Sequence, residues 1–263
     1  MTNYHSANPC KILGAGGLSL ALFLGLAACA PGPEVIEPET ANVDIEDIAE
    51  EPETILGQQV TLRGEFVAEV DEYVFKLKED AIIPDDTVLV INVTDTDYSV
   101  PPEEATAMWI TGVVETFNRT TLAEQYDLPL EADVYEEFEG KPVVLADYIA
   151  LAPDPEEIAE NPDVFYNQRV VVDGDVETIF APDAFSLENG QLLDEAGLLV
   201  VGSVPEITQE GPVSVSGILQ PFSINALEAE YDLLWEEDIQ TILEEEYTGQ
   251  PVIVAQDIYP FVD

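Results

Sequence analysis

The chain has 263 residues, 55 of them Asp or Glu and only 7 Lys or Arg, for a formal net charge of −48. That balance excludes partners recognised through phosphate, because nucleic-acid binding draws most of its affinity from cations that displace counterions. At 46% hydrophobic residues the chain is rich enough to bury packed cores, which excludes wholesale disorder. Its length suits one large domain or two of about 100 to 130 residues. In chain order, residues 1–28 come first and contain no acid at all, so they are chemically distinct from everything that follows. A polar start with Lys11 leads into an apolar run from Ile12 to Ala28. The run is too short and too rich in small residues for a spanning helix, and it suits the hydrophobic region of a secretory signal.

The run ends in Leu26-Ala27-Ala28-Cys29. Directly closing an N-terminal apolar segment, this string resembles the lipobox of bacterial lipoproteins. The resemblance implies that residues 1–28 are a signal peptide removed by cleavage. It also implies that Cys29 carries diacylglycerol through a thioether, that its new amino group is acylated with a palmitate-like chain, and that the protein sits at the bacterial cell envelope, facing the periplasm or the exterior. The alternative is an ordinary cleavage site, Ala-Cys-Ala or Leu-Ala-Ala, which releases a soluble protein with one free thiol. Acyl chains contribute roughly 0.8 kcal/mol per buried methylene, so two or three of them hold a protein on a membrane without help from its surface. The expected membrane partner is therefore engaged by lipid, not by charge.

Cleavage also changes the chemical inventory. His5, Cys10 and Lys11 leave with the signal, so the remaining 235 of 263 residues contain no histidine, one lipid-blocked cysteine and six cations: Arg63, Lys76, Lys78, Arg119, Lys141 and Arg169. Ser-His-Asp and Cys-His catalysis, histidine metal sites and disulfides then lack the residues they need.

Residues 29–45, rich in proline and acids and without apolar periodicity, read as an extended tether. Beyond it the chain repeats itself. A shift of 110 residues aligns Ile48-Ala49-Glu50-Glu51-Pro52 with Ile158-Ala159-Glu160-Asn161-Pro162, and Val60, Gly64, Phe75, Leu77 and Val90 with Val170, Gly174, Phe185, Leu187 and Val200. A shift of 105 pairs Gly112, Phe117, Leu122 and Tyr126-Asp127-Leu128 with Gly217, Phe222, Leu227 and Tyr231-Asp232-Leu233. A shift of 109 pairs Gly140-Lys141-Pro142-Val143-Val144 with Gly249-Gln250-Pro251-Val252-Ile253. These are two copies of one unit, 46–153 and 154–263, joined by a short proline-containing connector, Leu151 to Pro155.

Apolar and polar residues alternate along Gln59–Val67 and Arg169–Val176, as half-buried strands require. Short β-rich runs follow at Tyr73–Leu77, Val88–Val93, Met108–Thr116 and Pro142–Ile149, so each copy is expected to hold five strands. In the second copy Leu227, Tyr231, Trp235, Ile239, Leu243 and Tyr247 recur every four residues between glutamates and predict one amphipathic helix. In the first copy Pro129 interrupts the corresponding segment and predicts two shorter pieces.

The glycine-centred first strands, Gly57-Gln-Gln-Val-Thr-Leu-Arg-Gly-Glu-Phe66 and Asn167-Gln-Arg-Val-Val-Val-Asp-Gly-Asp-Val176, resemble the OB-fold family, including its bacterial periplasmic versions. The resemblance implies a mainly β chain with helical insertions, made of two tandem five-stranded barrels in which Gly64 and Gly174 permit the bend that closure needs. The helical stretch lies between strands four and five, whereas the usual OB helix lies between strands three and four. An SH3-like or other small barrel therefore stays open.

OB-folds often bind oligonucleotides, but six cations among 55 acids cannot line such a groove, and none of the six recurs as a cation in the other copy. Arg63, for example, aligns with Asp173. No cofactor is expected; calcium is the alternative weighed, since hard cations take oxygen ligands and the chain offers Asp95, Asp97, Asp173 and Asp175. None of these has EF-hand spacing, and a solvated acidic surface accounts for the same residues. No carboxylate pair stands out for hydrolysis, which leaves catalytic residues unassigned. Tyr126-Asp127 and Tyr231-Asp232 read as a tyrosine packing a helix onto the barrel and an aspartate at the helix end. Trp109 and Trp235 read as local core residues. The expectation is a non-catalytic, lipid-anchored protein offering an acidic surface to envelope-protein, cell-wall or cationic partners. The alternatives are a calcium-responsive module and a carboxylate-dependent hydrolase.

Overall fold

The strands of this chain follow from short apolar-rich runs, alternating with polar residues where one face meets solvent and continuous where both faces are covered, and the order in which the runs pair closes them into a barrel. The computed structural model describes residues 41–79, 87–94, 97–99, 107–130, 132–188, 197–202, 211–231 and 233–260, all within one compact unit, Pro38–Asp263. In chain order the first elements are β1 (Ala41–Asn42), α1 (Ile45–Glu50), a 3-10 turn (Pro52–Thr54), β2 (Gln59–Asp71), β3 (Val74–Lys78), β4 (Thr87–Asn92) and β5 (Ala107–Thr116). They are followed by α2 (Arg119–Tyr126), α3 (Ala132–Tyr135), a second 3-10 turn (Glu136–Phe138) and β6 (Pro142–Ala152).

The long β2 serves two neighbours. Its first half, Gln59–Glu65, pairs antiparallel with β5, and its second half, Glu65–Asp71, pairs antiparallel with β3. β3 pairs antiparallel with β4, β4 runs parallel to β6, and β6 returns antiparallel to β5. That cycle is a closed five-stranded barrel, in which full closure leaves no edge among the five.

The remaining elements are α4 (Pro155–Glu160), α5 (Pro162–Phe165), β7 (Arg169–Ala181), β8 (Ala184–Glu188), β9 (Leu198–Val201), β10 (Gly211–Pro221), α6 (Ile224–Tyr231), α7 (Glu237–Tyr247) and β11 (Pro251–Pro260). Here β7 pairs with β8 and β10, β8 with β9, β9 in parallel with β11, and β11 with β10. This second ring repeats the cycle of the first.

Inside the first ring, Val60, Leu62, Phe75, Leu77, Val90, Met108, Ile110 and Val144 meet Ile45 and Ile48, which α1 delivers from outside the strands. In the second ring Ile158 of α4 joins Val170, Val172, Phe185, Leu187, Val200 and Val215 in the same way. The outward side chains of β3, β4 and β6 (Val74, Leu89, Ile91, Val143 and Leu145) are also buried, under Phe117, Leu122, Leu130, Tyr135 and Phe138 of the segment between β5 and β6. Both faces of these strands are therefore covered, which is why Val88–Asn92 is buried throughout instead of alternating. In the second ring Leu199, Val201, Val252 and Val254 lie under Leu227, Leu233, Trp235, Leu243 and Tyr247.

Two close approaches explain conserved spacing between the copies. Gly112 and Gly217 sit where the β5–β6 and β10–β11 registers slip, and a Cβ at either would run into a backbone carbonyl of the facing strand, that of Leu145 or of Val254. A one-residue bulge of this kind bends its strand and raises its twist. Gly64 gives room as well as a bend: a Cβ there would lie 2.5 Å from Ile45 Cδ1 and 2.8 Å from the Lys78 carbonyl oxygen. At Gly174 the same atom would meet the Glu188 carbonyl oxygen at 3.1 Å.

Three expectations change. The single helix expected in the second copy is two, α6 and α7, so both copies carry a broken helical segment. Residues spaced by four advance about 40° per step around a 3.6-residue helix, so a six-member string cannot stay on one face of a rod. The break before α7 lets Leu233 and Trp235 point inward, as Leu130 does at the matching place in the first copy. The tether expected to reach residue 45 ends sooner: β1 pairs with β2, and Ile45 is fully buried. Finally, Trp109 is only half-buried on β5, whereas Trp235 is a core residue.

Candidate functional site

Polar chemistry concentrates where the last strand of the first ring meets the first strand of the second. The end of β6, still paired with β5 at Met108↔Leu151, also bridges in parallel to β7 at Leu151↔Val170. The same relation occurs at Ala41↔Val60, where β1 lies parallel to β2. In each case the stub leads directly into a short helix that plugs the ring. α4 begins at Pro155 behind Asp154, whose N–H donates to Glu157 Oε2 at 2.8 Å, a side-chain contact that closes the helix start.

Arg63 on β2 reaches across this junction. One guanidinium nitrogen lies 3.1 Å from Asp173 Oδ2, and the other lies 3.2 Å from Asp154 Oδ1 and donates to the Ala152 carbonyl at 2.8 Å. Asp173 Oδ1 accepts from Ser214 Oγ at 2.6 Å, so both oxygens of that carboxylate are engaged. The guanidinium of Arg169 lies 5.2 Å from the centre of the Tyr148 ring on β6, a cation–π contact between the two rings. Burial pushes the Tyr148 phenol above its ordinary range, and the neighbouring Arg169 partly offsets this. Ser99 donates to Gln168 across the same seam. A cleft of about 470 Å³ opens beside Arg63, walled by Glu65, Glu79, Asp154 and Glu157.

The other cations also have partners within the fold. Lys76 pairs with Glu137 at 3.3 Å and stands 4.7 Å from the centre of the Phe138 ring, which Lys141 approaches at 5.7 Å. Lys78 pairs with Glu65, and Arg119 donates to the Leu130 carbonyl at 3.2 Å. The positive charges thus fasten β3 to β2 and to the helical segment between β5 and β6.

Of the residues singled out in the sequence, Asp173 belongs to the Arg63 cluster, while Asp175, two residues along β7, and Asp97 are exposed. Asp95, Leu26, Ala27, Ala28, Cys29 and Asp232 lie outside the described residues. Among the described residues no three His, Cys, Asp or Glu side chains converge as metal ligands, and no helix is long and apolar enough to cross a membrane. Tyr126 packs in the outer cluster of the first ring and Asp127 caps α2 in the left-handed region at φ 54°. Tyr231 packs in the second and accepts from Gln220 Nε2 at 2.8 Å.

Two polar anchors have no signature in the sequence. Tyr135, almost fully buried, donates to Asp71 Oδ2, while Asp71 Oδ1 accepts the Tyr73 N–H at 2.9 Å. Burial and then the Asp71 carboxylate hold the Tyr135 phenol well above its usual range. In the second ring Trp235 Nε1 donates to Asp183 Oδ1 at 2.9 Å. The short plugs α1 and α4 did leave a trace, an Asp before each helix and acids in its first turn, both of which favour a helix N-terminus.

No protein-family model matches the chain. No curated protein matches it either. Among solved structures, a DUF3299 family protein from Pseudomonas aeruginosa PAO1 is similar at 14% identity and a TM-score of 0.25 over 37% of this chain and 63% of that one.

Proposed function

We propose that this is a non-catalytic lipoprotein of the bacterial envelope, anchored through Cys29, whose body consists of two tandem OB-like barrels and offers an anionic surface to protein, cell-wall or cationic partners. The observation that carries this reading is the placement of the cations. All six that would remain after signal cleavage hold internal contacts, which leaves a large excess of acids to face solvent. Such a surface attracts cations broadly and repels anionic polymers, with a reach set by ionic strength.

The strand order supports the OB-like assignment. Numbered within each ring, the pairing runs one-two-three-five-four-one, with strands three and five parallel. OB-folds take oligonucleotides and oligosaccharides on the face of strands two and three, flanked by the loops between strands one and two and strands four and five. Here the connection between strands four and five is itself the helical segment, folded over strands two, three and five in both rings. That cover favours association through the acidic exterior over ligand uptake on the barrel face.

Titration calorimetry with Ca²⁺ at near-physiological salt tests the surface reading. It predicts weak heat that fades as salt rises. Stoichiometric heat at micromolar affinity would replace it with the calcium-responsive alternative.

A further inference from the structure

We propose that Arg63 is an inter-ring latch that fixes the angle between the two barrels. Arg63 and Asp173 occupy the same place in the repeat, 110 residues apart, and they touch each other at 3.1 Å. A position that meets its own counterpart cannot carry the same charge in both copies. Two arginines or two aspartates there would repel, and only divergence to opposite signs makes the contact attractive. Beside it the strand keeps Gly64 and Gly174 at matching places, while at this position the sign of the charge is reversed.

Among the described residues the backbone ladder across the junction is one parallel bridge, Leu151↔Val170. Among the described residues the rings also meet through Leu151, which packs in the second ring's core, the Tyr148–Arg169 stack, the Ser99–Gln168 contact, and the fork of Arg63 on Asp154 and Asp173. A planar guanidinium can hold two carboxylates and a carbonyl in fixed directions, which a point charge cannot. The pairs are partly exposed, with the Arg63 side chain 38% accessible, so their contribution to global stability is small. Their contribution to orientation is larger, because Asp154 and Asp173 both belong to the second ring, so one guanidinium on the first ring holds it at two points set in different directions.

The test uses the full chain with spin labels at Val134→Cys and Leu234→Cys, two exposed positions on the helical segments of the first and second rings. Pulsed dipolar spectroscopy should give one narrow distance distribution with Arg63 present. Arg63→Asp should broaden it at least twofold, and the swapped pair Arg63→Asp with Asp173→Arg should restore it. An unchanged width in Arg63→Asp, or a swap as broad as the single variant, would overturn the latch. If Arg63→Asp fails to fold, Arg63→Gln decides: broadening supports the latch and an unchanged width rejects it.

Discussion

Ile45 and Ile48 enter the first ring from α1, and Pro155 and Ile158 enter the second from α4, each 110 residues later. Gly112 and Gly217 mark the same bulge in both rings. Yet Arg63 stands opposite Asp173, Trp235 fills the slot of Leu130, and the outer cluster is anchored by Tyr135 to Asp71 in one ring and by Trp235 to Asp183 in the other. The comparison teaches that closing a barrel constrains volume and backbone approach, while the polar fastenings around it are free to be reinvented. Cores tolerate little change in volume, whereas a buried donor needs only some acceptor within reach.

The largest effects should come from the plugs, where the rings are most alike. Ile48→Ala and Ile158→Ala each remove a fully buried side chain and should destabilise by about 2 to 5 kcal/mol, in near-equal measure. Chemical denaturation of each variant measures this. A loss confined to one of them would show that the two short helices are not equivalent parts.

Next come the bulges. Gly112→Ala and Gly217→Ala force a methyl against a backbone carbonyl and should cost about 1 to 3 kcal/mol, again similarly in both rings. A neutral result at either position, read by thermal unfolding, would mean that the facing strand yields there and the frame is looser than the comparison holds.

The smallest effect probes one buried phenol in each ring through pH. Burial raises the phenols of Tyr135 in the first ring and Tyr247 in the second above their ordinary value. Above about pH 10 an unfolded chain loses tyrosine protons that the folded chain keeps, so these groups leave stability intact below that pH and erode it as pH rises further. Phenolate absorbance should lag behind that of free tyrosine, and the denaturation midpoint should fall progressively as pH rises above about 10. Tyrosines that ionise together at the ordinary pH in the folded protein would contradict the buried environment of both phenols.

Much of the barrel is legible in the sequence. Gln59–Val67 and Met108–Thr116 announce their strands because one face meets core and the other does not, and the repeat at 110 and 105 residues announces the second ring. The helical break before α7 is less legible, since a four-residue spacing mimics one continuous face over short stretches. The plugs α1 and α4 are six residues each, too short for periodicity to register. The Arg63–Asp173 pair is visible as an alignment but not as a contact, because a repeat tells which positions correspond and not which of them meet. The same limit applies to Asp71 with Tyr135 and Asp183 with Trp235, pairs separated by 64 and 52 residues.

The central claim is that lipid on Cys29, and no feature of the acidic body, holds the protein at the envelope. Detergent phase partitioning of membranes carrying the native chain or Cys29→Ser tests it most directly. The account predicts that the native protein enters the detergent phase and that Cys29→Ser moves to the aqueous phase with its fold intact. Equal retention of both in the detergent phase would contradict it.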